Sequence, residues 1–164
     1  MDQTNQLWIY ARDHLAGSVA AIGLLDGLVR KFHNTRLGIF AAELRDEIER
    51  DQQNLLQLIE ELGGRSRTTE ALAWAAEKIG RIKLIHSNGE LATLESLEAL
   101  SLGIMGKRAL WRSLSQIDDD ERLRKYDFGD LIRRAEEQYE KVETVRLEKA
   151  RAALSSAPAA AAAA

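Results

Sequence analysis

An aspartate lies on the apolar face of the segment 37–64. Apolar residues recur along this segment at alternating steps of four and three residues, which is the spacing of one α-helix face. Asp51 occupies the position of this series between Ile48 and Leu55. A carboxylate in such a position is strongly destabilising unless a partner satisfies it. His14 holds a comparable position in the apolar series of the segment 4–33. The sequence therefore predicts that His14 and Asp51 form a buried polar pair.

A short connection would bring these two residues together. His33-Asn34-Thr35 separates the two segments, and a link of this length makes them an antiparallel helical hairpin. Folding the chain about residue 34 sets position 14 opposite roughly position 54, within about one helical turn of Asp51. Ser18 adds the third residue type of a Ser-His-Asp nucleophile, but no Gly-rich elbow accompanies it, so a structural pair is the favoured interpretation.

A second hairpin is predicted in the C-terminal half. One helix is expected over 93–117, and Asp127 is placed to cap another over 128–154, with a charged loop between the two. Folding this part about residue 121 or 122 brings Glu98 opposite Arg146. We expect an ion pair between these two residues, as a second buried polar pair.

The two hairpins are joined by a longer connection. Gly63-Gly64 tolerates positive φ and predicts the end of the second helix. A shorter helix then covers about 68–86, and Ser87-Asn88-Gly89 predicts a turn. The fold predicted for residues 1–154 is an all-α four-helix bundle of two antiparallel hairpins with a shorter helix in the crossover. Residues 155–164 are expected to form a low-complexity, Ala-rich tail.

Glycines are dense on the first and third long helices. Each helical glycine costs roughly 1 kcal/mol relative to alanine, so we expect the close approach of another helix as compensation. The neighbouring helix could belong to this chain or to a second copy; a tight crossing within the chain is preferred, with dimerisation along the first helix as the second choice. The glycines concerned are Gly17, Gly23, Gly27, Gly103 and Gly106.

Composition narrows the function classes. The chain has no cysteine, which excludes disulfides, thiolate metal sites and a cysteine nucleophile, and its net charge of −3 with interspersed signs argues against a nucleic-acid surface. The longest apolar run, 15–25, falls well short of the roughly 20 residues of a membrane span. The first residues, MDQTNQ, lack the features of a signal peptide. We therefore expect a cytoplasmic protein without a nucleic-acid or membrane partner.

The layout of the chain resembles a known family. Two long hairpins joined by a long crossover are the connectivity of ferritin-like bundles. The pattern of apolar and charged residues along the helices is similar to that of small bacterial ferritin-like proteins, those related to rubrerythrin and those associated with stress. The stretches that carry this resemblance are AELRDEIERDQQNLLQLIEELGG, LESLEAL and RRAEEQYEKVETVRLEKA. The resemblance covers residues 4–154 and implies a core site for two metal ions.

The sequence departs from the ligand pattern that this resemblance implies. Such a site takes an inward glutamate from each of two helices and Glu-x-x-His from each of the other two, a donor set suited to iron or manganese. Here the first helix has no glutamate, and none of His14, His33 and His86 follows a glutamate by three residues. A rearranged site would have to draw on a mixed set of residues, namely His14, Glu47, Asp51, Glu98 and Glu140.

Two hypotheses follow from these observations. The first is a non-catalytic ferritin-like bundle, a homodimeric structural or interaction module that holds no cofactor and whose metal ligands are replaced by polar pairs. The second is a divergent di-iron or di-manganese carboxylate protein, an oxidase or a stress-protective iron binder. The missing Glu-x-x-His elements favour the first.

Overall fold

The computed structural model describes residues 3–81 and 89–155, and these residues form four helices and no strand. The all-α prediction is thereby confirmed. None of the described helices is both long and apolar enough to cross a membrane. The helices are α1 (Gln3–Lys31), α2 (Arg36–Arg81), α3 (Glu90–Leu114) and α4 (Phe128–Leu154).

Two of the helix starts carry the caps that the sequence indicates. The Thr35 hydroxyl accepts a hydrogen bond from the backbone N–H of Gly38 at 3.2 Å, after Asn34 has turned the chain with φ 60°. At the start of α4, the Asp127 carboxylate accepts from the backbone N–H of Asp130 at 2.9 Å. These caps satisfy amide groups that have no partner within the helix, and they set where α2 and α4 begin.

Gly64 produces a kink inside α2 rather than its end. Its φ of 74° and ψ of 176° are non-helical, and glycine adopts them readily because it has no β-carbon. The helix resumes at once and continues to Arg81, so the shorter helix predicted over 68–86 is the second part of α2. Residues 82–86 of that prediction, with Ser87 and Asn88 of the predicted turn, lie outside the described residues.

The side-chain contacts between helices follow a regular numerical order. Between α1 and α2, and again between α3 and α4, residue numbers that rise along one helix are matched by residue numbers that fall along the helix it contacts. The contacts between α2 and α4 follow the same rule. These contacts are Asp26–Arg45 and Ser18–Gln52, Glu98–Arg146 and Arg108–Glu136, and Glu47–Lys141 and Asp51–Arg134.

The hydrophobic core has two parts. One is built around Leu15, Leu58 and Trp111, the other around Leu25, Leu44 and Leu100. Along α2 the two parts meet between Ile48 and Leu55, where Asp51 stands. The boundary between the two apolar clusters is therefore polar, and it holds the candidate site.

The expected close helix crossing at the glycines is wrong for the described part of the chain. A β-carbon built on any of these glycines would meet nothing within 4 Å. The reason is that large buried side chains, including Leu15 and Trp111, pack in the same region, and side chains of this size hold helix axes about 8–10 Å apart. The glycines thus border open space; they are Gly17, Gly23 and Gly27 of α1 and Gly103 and Gly106 of α3.

Candidate functional site

Asp51 is buried at mid-bundle and is surrounded by donors from two other helices. Only 2 % of its surface is exposed. Its Oδ2 accepts a hydrogen bond from Lys107 Nζ at 2.5 Å and another from Gln138 Nε2 at 3.0 Å. The Lys107 ammonium also donates to Gln138 Oε1, which closes a triangle of three side chains from α2, α3 and α4.

Arg134 adds a second positive charge to this cluster. Its Nη2 lies 3.1 Å from Asp51 Oδ1, an ion-pair separation without the alignment of a hydrogen bond. The guanidinium is partly exposed and also contacts Asp130 at 3.1 Å. The Asp51 carboxylate is therefore bracketed by a buried ammonium on one oxygen and a half-buried guanidinium on the other.

Two opposing effects act on the pKa of Lys107. Burial is the larger, and it lowers the pKa below the ordinary lysine value because an ammonium loses hydration in the core. The neighbouring Asp51 carboxylate raises the pKa by charge attraction and by the hydrogen bond it accepts. The charged form of Lys107 is thus favoured by Asp51.

His14 lines the same cavity as Asp51 but is not among the residues that Asp51 contacts. It is half-buried, and its ring meets the edge of Tyr10 with centroids 4.7 Å apart at an interplanar angle of 81°. Burial lowers the pKa of His14, partly offset by the charge of Asp13. Asp51 has Lys107, Gln138 and Arg134 as partners in place of His14, and the first and last of these supply the positive charge that a buried carboxylate needs.

The predicted partners Glu98 and Arg146 meet at the surface rather than in the core. Arg146 Nη1 lies 3.5 Å from Glu98 Oε1, and the Glu98 side chain is 50 % exposed. Arg146 makes shorter contacts with Glu143, at 2.7 Å from both carboxylate oxygens, and Glu143 also accepts from Ser101 at 2.7 Å. The contact of Glu98 is therefore peripheral to a tighter Arg146–Glu143–Ser101 group.

The side chains do not fit a metal centre. Glu47 is paired with Lys141 at 2.6 Å, Glu140 is exposed, and Asp51 already faces two cations. Across residues 3–81 and 89–155, no three His, Asp or Glu side chains converge as a metal site would require. The donors around Asp51 are an ammonium, a guanidinium and an amide, and the first two repel a metal cation.

A cavity of about 160 Å³ lies beside this cluster, between α1, α2 and α3. Its outer part includes the exposed Gly17 and Gly103, and its inner part includes the buried Asp51 and Trp111, together with Lys107. Aliphatic side chains form much of the remaining wall. They are Ala21, Ile48, Leu55, Ile104 and Leu110.

Sequence reasoning missed Lys107 and Gln138, although both carried a signal. Lys107 stands between Ile104 and Trp111 at the alternating three- and four-residue steps of the inward face of α3. Gln138 stands likewise between Ala135 and Val142 on α4. Asp51 had been recognised by the same criterion on α2. Each of the three helices that form the cluster thus has one polar residue at a position of its otherwise apolar face.

Replacing Lys107 alone should destabilise the fold more than replacing Asp51, Lys107 and Gln138 together. We expect Lys107→Met to lower the free energy of unfolding by roughly 3–5 kcal/mol, because it leaves the Asp51 charge buried beside an unfilled site. The triple variant Asp51→Leu, Lys107→Met, Gln138→Leu should recover most of that loss, since no charge then remains buried. Urea unfolding followed by circular dichroism measures both.

Lys141→Met is the matched control for this experiment. It breaks a 2.6 Å ion pair with Glu47 in which the lysine is 51 % exposed, and it should cost less than about 1 kcal/mol. A Lys107→Met variant as stable as Lys141→Met, or a triple variant no more stable than Lys107→Met, would contradict the assignment.

Comparisons with known proteins show no match: no family model matches the chain, and no curated protein or solved structure is significantly similar to it. The function of the chain must therefore be inferred from its own geometry. Its strongest element is the buried cluster of Asp51, Lys107, Gln138 and Arg134.

Proposed function

We propose that this chain is a non-catalytic, ferritin-like helical bundle that acts as a self-associating interaction module. The observation that carries the proposal is the contact between the Lys107 ammonium and Asp51 at 2.5 Å. A core carboxylate of a metal-binding bundle draws its positive charge from the metal; here the chain supplies that charge from its own α3. A cytoplasmic location is part of the proposal, and it is supported by the absence of cysteine.

The arrangement of two antiparallel hairpins belongs to this proposal. It is supported by the numerical order of the contacts, in which residue numbers rise on one helix as they fall on its neighbour within both pairs. The connection of only four residues, 32–35, between α1 and α2 also supports a reversal of chain direction. The second half of α2, after Gly64, is the described part of the proposed crossover.

The geometry argues against nucleophilic chemistry at Ser18. Its hydroxyl donates to the backbone carbonyl of Leu15 at 2.8 Å and accepts from Gln52 Nε2 at 2.9 Å. A serine nucleophile needs a base that takes its proton, and here the proton is held by a helix carbonyl. We therefore interpret Ser18 as a structural residue that links α1 to α2.

The proposed self-association surface is the outward face of α3. Its residues follow alternating steps of four and three, as in a helix that pairs with another helix. Large apolar side chains on this face are exposed: Leu102 by 74 %, Leu91 by 53 % and Met105 by 39 %. The full series is Leu91, Glu95, Glu98, Leu102, Met105, Ala109 and Arg112.

The charges of this face suit a second copy of the same chain. Its acidic residues, Glu95 and Glu98, precede Leu102, and its basic residue, Arg112, follows Met105. When two copies of α3 pair in antiparallel orientation with Leu102 against Met105, Glu95 of each faces Arg112 of the other. In a dimer with two-fold symmetry both Glu95–Arg112 contacts form together, so the surface is self-complementary.

Metal analysis tests the non-catalytic part of the proposal. Protein purified without chelators should carry far less than one equivalent of iron or manganese per chain, because Lys107 and Arg134 already neutralise Asp51. Addition of Fe²⁺ or Mn²⁺ should leave the unfolding midpoint unchanged. About two equivalents per chain, lost in Asp51→Asn or Glu98→Ala, would instead establish a di-metal protein.

Sedimentation equilibrium tests the self-association. The wild-type chain should form a dimer, and Leu102→Glu should weaken it by at least 100-fold, because burying an unpaired carboxylate at the centre of the interface is unfavourable. The charge reversal Glu95→Arg should also weaken the dimer, and the double variant Glu95→Arg, Arg112→Glu should restore it.

Two controls separate this surface from other faces. Leu147→Glu makes the same change at a position of α4 that is 58 % exposed and should leave the dimer intact. Gly23→Arg places a long side chain on α1, where a β-carbon meets nothing within 4 Å, and tests the alternative interface along that helix. A dimer broken by Gly23→Arg but not by Leu102→Glu would move the interface to α1, and a monomeric wild type would end this part of the proposal.

A further inference from the structure

The cavity beside Asp51 has the features of a binding site for a small molecule. We propose that it binds a carboxylate ligand with a small apolar body about the size of one benzene ring. This inference concerns the space between α1, α2 and α3 and does not depend on self-association through the outward face of α3.

The volume sets the size of the ligand. The cavity measures about 160 Å³, and an apolar cavity of about 150 Å³ is known to hold benzene in a protein core. The wall is largely aliphatic, with Ile48, Leu55 and Leu110 among its residues, and suits a hydrocarbon ring or a short branched chain. A ligand much larger than one ring would extend out of the cavity past the exposed Gly17 and Gly103.

Glycines keep this space open. Gly17 on α1 and Gly103 and Gly106 on α3 all line the cavity, and a β-carbon at each would meet nothing within 4 Å. Each helical glycine costs roughly 1 kcal/mol relative to alanine, and no packing contact of the described chain requires its small size. A ligand that occupies the space supplies the contact that the chain itself lacks.

The polar groups at the inner end set the chemistry of the ligand. Lys107 has three N–H donors, and its contacts with Asp51 and Gln138 use two of them. Trp111, which is only 1 % exposed, also lines the cavity, and its indole N–H has no acceptor among the described residues. The indole N–H and the third N–H of Lys107 are therefore donors that an acceptor on a ligand would satisfy.

The charge of the Lys107 ammonium favours an anionic acceptor over a neutral one. Asp51 pairs with Lys107 and Arg134, and Arg134 is also paired with Asp130 at 3.1 Å. Asp13, near the cavity mouth, is already paired with Arg12 at 2.9 Å. A carboxylate near Lys107 would accept a hydrogen bond from the remaining N–H of its ammonium, and a charge-assisted hydrogen bond is stronger than one between neutral groups.

Three probes of similar shape test the chemical class. Benzoate carries the carboxylate, toluene lacks it, and benzylamine replaces it with a cation. At ten times its dissociation constant, benzoate should raise the unfolding midpoint by about 3–6 °C. Toluene should bind at least tenfold more weakly in calorimetry, and benzylamine should not bind. Equal affinity of benzoate and toluene, or no effect of any probe, would overturn the proposal.

A pair of glycine substitutions tests the location. Gly106→Leu fills the cavity from α3 and should weaken benzoate binding by at least tenfold. Gly27→Leu makes the same change on α1 at a glycine that is outside the cavity wall, and should leave binding unchanged. Both remove a helical glycine, so both variants should fold at least as well as the wild type. Equal benzoate affinity in the two variants would place the ligand elsewhere and contradict the inference.

Asp51→Asn combined with Lys107→Met tests the polar end separately, because it removes the ammonium without leaving a carboxylate buried opposite it. It should remove the preference for benzoate over toluene, while toluene still binds. A preference that persists without the Lys107 ammonium would show that another group reads the carboxylate, and would contradict the role given to this residue.

Discussion

The contact between Lys107 and Asp51 constrains the whole bundle. A carboxylate that is 98 % removed from solvent contact must be neutralised within the core, and the ammonium of α3 does this at 2.5 Å. Gln138 of α4 joins both groups, so three helices must hold their rotation and height together. A shift of one residue on any of them turns its polar side chain by about 100° and leaves the others buried without a partner. The cluster thereby couples the registers of α2, α3 and α4 to one another.

The remaining helix, α1, contributes to this layer in a different way. In the polar layer α1 supplies no charge to Asp51; it contributes Ser18, His14 and the small Gly17 beside the cavity. The two apolar clusters on either side hold α1 in place through residues such as Leu15 and Leu25. The charged side chains of the polar layer therefore come from α2, α3 and α4, and the cavity lies between this layer and α1.

Much of the helical organisation could be predicted from the sequence, because it depends on local rules. The cap of α4 at Asp127, the turn at Asn34 and Thr35, and the burial of Asp51 follow from residue types and from the three- and four-residue spacing of apolar side chains. The kink at Gly64 was marked by a glycine pair, although the helix continues beyond it. These features need no knowledge of which helices are neighbours.

The partners of Asp51 could not be predicted by the same means. Short connections reveal which helices are joined, so the partner was sought on α1; the neighbour that supplies the charge is α3, and no local rule specifies that contact. The glycines were misjudged for a related reason. A small residue permits close approach but does not enforce it, and here bulky core side chains set the distance between helices.

The protonation state of Lys107 in the folded protein tests this account most directly. Burial lowers its pKa, yet the account requires a charged, hydrogen-bonded ammonium at neutral pH, held by Asp51. Nitrogen-detected NMR of ¹⁵N-labelled lysine side chains distinguishes an ammonium from a neutral amine. The account predicts a slowly exchanging ammonium signal for Lys107 at pH 7 that is lost in Asp51→Asn. A neutral amine at pH 7, or an ammonium signal unchanged by Asp51→Asn, would contradict it.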